Sequence, residues 1–238
     1  MTSLRRLRDA IRPPVPEAAV EAQRHLDDLT KPPGSLGRLE EIAVRLAAIS
    51  GGAPRVDQPV VFTFAADHGV VAEGVSAYPQ VVTAQMVENF VRGGAAINVL
   101  ARQAGARVVV ADFGVMGPLP PAVGLVSCPI ATGTANMARG PAMTVDQATR
   151  AIERGAALAE EAIDAGADLL ATGEMGIGNT TAAAAITAAI TGAAPEAVTG
   201  RGTGVDDEGW RRSPAACPAW TSRSSSPSRR TTAWSPRA

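Results

Sequence analysis

A chain of 238 residues, 46% hydrophobic and with a formal charge of −1, has apolar content for one sizeable core or for a large and a small domain. No apolar run reaches the length of a membrane span and the basic N-terminus lacks the apolar stretch of a signal peptide, so a soluble, cytoplasmic protein is expected. Its two cysteines, Cys128 and Cys217, lie outside any CxxC pair, which excludes a disulfide framework and leaves metal and redox readings weak.

The charge is unevenly placed. Residues 210–238 carry six arginines and no acid, so the first 209 residues hold 16 basic against 23 acidic groups, a net −7. That speaks against a nucleic-acid surface on the main body. Lys31 is the sole lysine among 22 basic residues, a bias in keeping with a GC-rich coding sequence.

In chain order, residues 17–30, "EAAVEAQRHLDDLT", and 36–50, "LGRLEEIAVRLAAIS", space their apolar residues as two amphipathic helices. "KPPGSLG" between them, with two prolines and two glycines, is a turn. After residue 52 the pattern changes. "PVVFTFAADHG" is a short apolar run ending in polar residues, as in a buried parallel strand, and three similar runs follow at 106–115, 124–133 and 167–176. Helices are expected at about 83–104, 144–165 and 179–191, with Thr144 and Gln147 forming a capping box on the middle one. Strands alternating with helices predict an α/β fold with a parallel sheet, whose ligands gather at the carboxyl ends of the strands. From Trp210 onward the text is rich in Arg, Ser, Pro and Trp without periodicity, and composition predicts disorder.

The densest chemistry lies in "GEMGIGNTTAAAAI", Gly173 to Ile186. A strand, a glycine loop and a helix start present free N–H groups and a positive dipole end, the outline of a phosphate seat. It is neither a Walker A loop, which needs a lysine, nor GxGxxG, since Thr181 occupies the third glycine position. A mononucleotide or sugar phosphate fits; a plain turn with glycines for close packing is the alternative. Glu174 is unfavourable beside an anion unless it faces a hydroxyl, a developing cation or a departing proton. The alternative for this acid is a helix-dipole partner.

A second cluster, Ala65 to Val87, puts Asp67 and His68 at a strand end, then Ser76 and Tyr78 in a loop and Gln85 and Met86 in a helix. Such a lid suits a flat heteroaromatic ligand; His68 on its own reads as a hydrogen-bonded structural histidine. "ATGTANMARGPAM" and "VTGRGTGVDDEG" are further glycine-rich loops able to line the same cleft. Asp206 and Asp207 are solvated turn acids or, less simply, a metal pair.

"KPPGSLGRLE", "FAADHGVVAEGVSAYPQ", "GGAAINVLARQAGA", "GTANMARGPAM", "GEMGIGNTT" and "GRGTGVDDEG", in this order, resemble the nicotinate-nucleotide:dimethylbenzimidazole phosphoribosyltransferases, from about Leu26 to Gly209. The resemblance implies a Rossmann-like parallel sheet flanked by helices (53–209), a small helical N-terminal subdomain (1–52) and a homodimer. It implies transfer of ribose phosphate from nicotinate mononucleotide to 5,6-dimethylbenzimidazole, giving α-ribazole phosphate and nicotinate for cobalamin assembly, without a metal or organic cofactor, a nucleic acid or a membrane. Carried onto this chain, Gly176, Gly178, Asn179 and Thr180 hold the phosphate with help from Gly202 and Gly204. Ser76, Tyr78, Gln85 and Met86 line the base pocket, and Glu174 is one of two active-site glutamates. The resemblance ends after Gly209, where the family continues for roughly another hundred residues and supplies a late general-base glutamate. Residues 210–238 are expected to be an aberrant tail produced by a frameshift, leaving the family fold incomplete at its C-terminal side.

Overall fold

The computed structural model describes residues 3–119 and 121–217. The chain divides into two compact units, one made of Met1–Pro59 with Glu160–Leu169, the other of Val60–Ala159 with the chain from Leu170 onward. The boundary expected at residue 52 therefore lies at Pro59, and the helical unit also takes a later segment.

The helical unit holds α1 (Ser3–Ala10), α2 (Pro16–Asp28) and α3 (Arg38–Ser50). Pro16 opens α2, where a fixed φ and a missing N–H cost nothing. The predicted turn between α2 and α3 is closed by an ion pair. Lys31 Nζ stands 2.8 Å from Glu40 Oε1, with the two side chains 12% and 8% exposed. The Leu36 N–H also donates to Glu40 Oε1 at 3.1 Å. Lys31 first, then Leu36, holds the Glu40 carboxyl below the usual carboxylate range. Within the same unit Asp168 accepts from the N–H groups of Asp57 and Gln58 at 2.6 and 2.9 Å.

The second unit is built on β1 (Pro59–Ala66), β2 (Arg107–Gly114), β3 (Leu125–Ser127) and β4 (Leu169–Met175), in the order β3-β2-β1-β4. β2 runs parallel to β1, and β3 parallel to β2. The Val- and Phe-rich runs of β1 and β2 are mostly buried, as central parallel strands must be. Among the described residues β4 is an edge strand, and it is mostly exposed. Ala65, Val87, Phe90, Val110 and Val115 form the main cluster of the core.

Three expectations need correction. The helix expected over 83–104 is two helices, α4 (Val81–Val91) and α5 (Ala96–Ala104), broken at Gly93, which takes φ 80°. Buried Asn98 clamps the break: its Oδ1 accepts from the Ala95 N–H at 3.1 Å and its Nδ2 donates to the Phe90 carbonyl at 3.0 Å. The strand expected over 124–133 keeps only Leu125–Ser127, because Pro129 has no N–H for the ladder. Residues 210–217 are ordered, in contrast to the disorder their composition predicts. They continue α9 (Asp207–Ala215), capped by Asp206, whose side chain accepts from the Gly209 N–H at 2.8 Å. Trp210 Nε1 donates to the Thr199 carbonyl at 3.0 Å, and Ser213, Pro214 and Cys217 are buried. The rest of the expected disordered tail, 218–238, lies outside the described residues.

The remaining helices are α6 (Val145–Asp164), α7 (Asn179–Thr191) and α8 (Pro195–Val198). The capping box on α6 is present: Gln147 N donates to Thr144 Oγ1 at 3.1 Å and Thr144 N to Gln147 Oε1 at 2.8 Å. Among the described residues no helix is long and apolar enough to cross a membrane.

Candidate functional site

Chain direction locates the site. After β1 the chain builds β2 and then β3 on one side, and after α6 it returns to place β4 on the other side of β1. The strand order reverses between β1 and β4, and ligands of open α/β sheets sit in the crevice at such a switch point. Two motifs singled out in the sequence end there, "ADHG" after β1 and "GEMGIGNTT" across and after β4.

The glycine loop is shaped by close approaches. A Cβ on Gly176 would collide with the Ala66 carbonyl oxygen and the Asn179 side chain, so only glycine fits between the two strand ends. Gly178 takes φ 90° and opens α7, and a Cβ there would stand 3.0 Å from Val71 Cγ2 and 3.5 Å from His68 Cβ. Thr83 on α4, fully buried, accepts from the Ile177 N–H through Oγ1 at 3.0 Å. Asn179 N donates to the Gly176 carbonyl at 3.1 Å, while the N–H groups of Gly178 and Thr180 have no acceptor among the described residues. Those two groups and the positive end of α7 are what an anion would meet. Gly202 lies against Thr180, since a Cβ there would stand 2.7 Å from Thr180 Oγ1; Gly204 faces open space. Five of the six expected phosphate residues are thus together, with Gly204 at the margin.

Glu174 lies on exposed β4, two residues before Gly176. Desolvation pushes its carboxyl above the usual range, so the acid is poised to hold a proton more readily than a solvated glutamate.

The expected base residues are less concentrated. Gln85 and Met86 follow Thr83 within the first turns of α4, and Met86 also packs on the core cluster. Ser76 Oγ accepts from the Tyr78 N–H at 3.2 Å, and the Tyr78 side chain is exposed. None of the four lines the cavity of about 820 Å³ at the ends of β1 and β2, whose walls include Phe113, Ile130, Met143 and Gln147, with His68 and Thr134 at one side. That cavity has room and surface for a flat ring.

His68 is hydrogen-bonded on both ring nitrogens, Nε2 to Asn179 Oδ1 and Nδ1 to Thr134 Oγ1 at 3.2 Å. Burial lowers its pKa, against smaller opposing effects of Asn179 and Asp67. Asp67 is fully buried: its Oδ2 accepts from the Met116 N–H at 2.7 Å. Farther out, Asn136 Nδ2 donates to Glu73 at 2.6 Å, tying the loop after β3 to the turn after β1. Asp206 caps α9 and Asp207 pairs with Arg201 at 2.5 Å, so the two acids serve the turn. Sequence reasoning passed over Thr83 and Thr134. The signal for Thr83 was a polar residue in register with Val87 and Phe90 on the buried face of α4; Thr134 had none.

The sequence matches the phosphoribosyltransferase family DBI_PRT over residues 11–231. It is 59% identical over 196 residues to the nicotinate-nucleotide--dimethylbenzimidazole phosphoribosyltransferase of Chloroflexus aurantiacus J-10-fl, covering 82% of this chain and 56% of that protein. Against the Thermus thermophilus protein of the same name it is 59% identical over 198 residues, covering 83% and 59%. The crystal structure of CobT from Thermus thermophilus superposes with a TM-score of 0.84 at 56% identity, over 87% of this chain and 63% of that one. The chain therefore spans 56–59% of the length of these two curated relatives.

Proposed function

The chain belongs to this phosphoribosyltransferase family, and from that premise we propose that its site transfers the phosphoribosyl group of nicotinate mononucleotide to 5,6-dimethylbenzimidazole. The observation that carries the reading is the switch-point crevice, where the Gly178 and Thr180 N–H groups, without an acceptor among the described residues, follow a strand that carries a glutamate whose pKa is raised. The loop holds the phosphate through Gly178 and Thr180, with Gly202 and Gly204 at the rim. The ribose then extends toward β4. The bond between C1′ and the nicotinate nitrogen breaks with its electron pair passing to the ring, which leaves neutral, so no strong acid is needed. A benzimidazole nitrogen bonds to C1′, and the proton on the other ring nitrogen passes to a carboxylate, the role this reading gives Glu174. That carboxylate also offsets the positive charge developing on the ribose. The base enters beside Gln85 and Met86, since Thr83 of the same helix already carries the loop amide, and Ser76 and Tyr78 close over it. The family's homodimer and a cytoplasmic setting complete the proposal.

Purified protein incubated with nicotinate mononucleotide and dimethylbenzimidazole is expected to give α-ribazole phosphate on chromatography. Product no greater than that of a Glu174→Gln control refutes the activity. The alternative reading is a non-catalytic protein that binds nicotinate mononucleotide. Calorimetric binding without turnover would select it.

A further inference from the structure

We propose that His68 is a positioning residue for the glycine loop, a neutral imidazole that fixes Asn179 and ties three strand-end loops into one frame. This rests on the reading of Gly176–Thr180 as the phosphate seat. The Asn179 side-chain oxygen has no proton to give, so Nε2 of His68 must be the donor. Nδ1 then carries the lone pair, and the Thr134 hydroxyl donates to it. Both ring nitrogens are satisfied in the uncharged form, the form that desolvation also favours. The backbone of the same residue is equally constrained: Gln80 Nε2 donates to its carbonyl at 3.3 Å, and the adjoining Gly69 N–H donates to the Thr134 carbonyl at 2.9 Å. On the loop side, a Cβ on Gly178 would stand 3.5 Å from the His68 Cβ. One ring thus meets the first residue of α7, the loop after β3 and one side of the apolar cavity. A neutral ring adds no charge to an anion seat, so its effect runs through Asn179, whose orientation sets where the Gly178 and Thr180 N–H groups point.

The test uses the full 238-residue chain in two arms. Without ligand, amide hydrogen exchange across residues 177–181 is measured for wild type, His68→Leu, His68→Gln and Asn179→Ala. His68→Leu is expected to speed exchange about tenfold. His68→Gln, which keeps a donor at the Nε2 position, stays within about threefold of wild type. Asn179→Ala matches His68→Leu, and combining the two adds nothing further. With ligand, calorimetry compares nicotinate mononucleotide with nicotinate riboside, which lacks the phosphate. His68→Leu is expected to weaken the mononucleotide about tenfold and leave the riboside within about twofold. Unchanged exchange in His68→Leu, or exchange in His68→Gln as fast as in His68→Leu, overturns the proposal, as does equal weakening of both ligands. Should His68→Leu fail to fold, Asn179→Ala and His68→Gln give the same decision. Should wild type bind neither ligand, the phosphate-seat reading falls, and the exchange arm alone decides whether His68 holds the loop.

Discussion

Thr83→Val changes one atom at the centre of the site and leaves its shape. Thr83 is fully buried and Ile177 is 4% exposed, so the hydroxyl that accepts the Ile177 N–H at 3.0 Å cannot be replaced by bulk water. The methyl of valine fills the hydroxyl's volume, so no cavity forms. The donor loses its acceptor, and a buried unsatisfied amide costs about 1–3 kcal/mol. At roughly 2–4 °C per kcal/mol for a chain of this size, Tm falls by roughly 2–12 °C. Thr83→Ser keeps the acceptor and loses a methyl, about 1 kcal/mol of packing. Thermal unfolding followed by circular dichroism, with calorimetric titration of nicotinate mononucleotide, separates the two. Valine is expected to weaken binding about tenfold, because the Ile177 amide no longer anchors the loop; serine stays within about twofold. Full-strength binding by the valine variant, or serine as damaging as valine, would refute the reasoning that this hydroxyl sets the loop.

With Glu174 pushed upward by desolvation, the acid limb of the rate profile is expected above the ordinary glutamate range and absent in Glu174→Gln; pH–rate measurement checks both. His68, with its folded pKa below the ordinary 6.5, binds protons more readily when unfolded. Its contribution to stability is therefore full above that value and is lost as pH falls toward the lowered pKa; His68→Gln is expected to flatten this part of a denaturation-versus-pH curve. Gly176→Ala, whose Cβ meets the Ala66 carbonyl, is expected to abolish mononucleotide binding by calorimetry and to lower Tm. Buried Cys217, whose thiol burial pushes up, is expected to be alkylated by iodoacetamide only on unfolding, as peptide mass mapping would show.

What could be read from the sequence was what depends on local pattern. The apolar runs of β1, β2 and β4, the Thr144–Gln147 box and the glycines before α7 each carry their instruction within a few residues. The rest depended on partners distant in sequence. The break between α4 and α5 is set by Asn98 reaching back to Phe90, which no periodicity reports. α9 has a composition typical of disorder, yet it is held by its Asp206 cap, by Trp210 on Thr199 and by Ser213 Oγ accepting from Thr181 Oγ1 at 3.1 Å. Within the site, Glu174 and Asn179 stood out because glycines surround them. Thr83 left only its place on the buried face of α4 as a signal, and Thr134 becomes visible only once the strand ends are brought together.

β4 lies at the sheet margin with most of its residues exposed, whereas β1 and β2 are packed in the interior. The strand that carries Glu174 and leads into the glycine loop therefore sacrifices less of the core on release than β1 or β2 would. Cooperative units of this kind open sub-globally, at a fraction of the free energy of whole-molecule unfolding. Function and fold would then fail at different points: mild urea would silence ligand binding while the β1–β2 core and its spectroscopic signals persist.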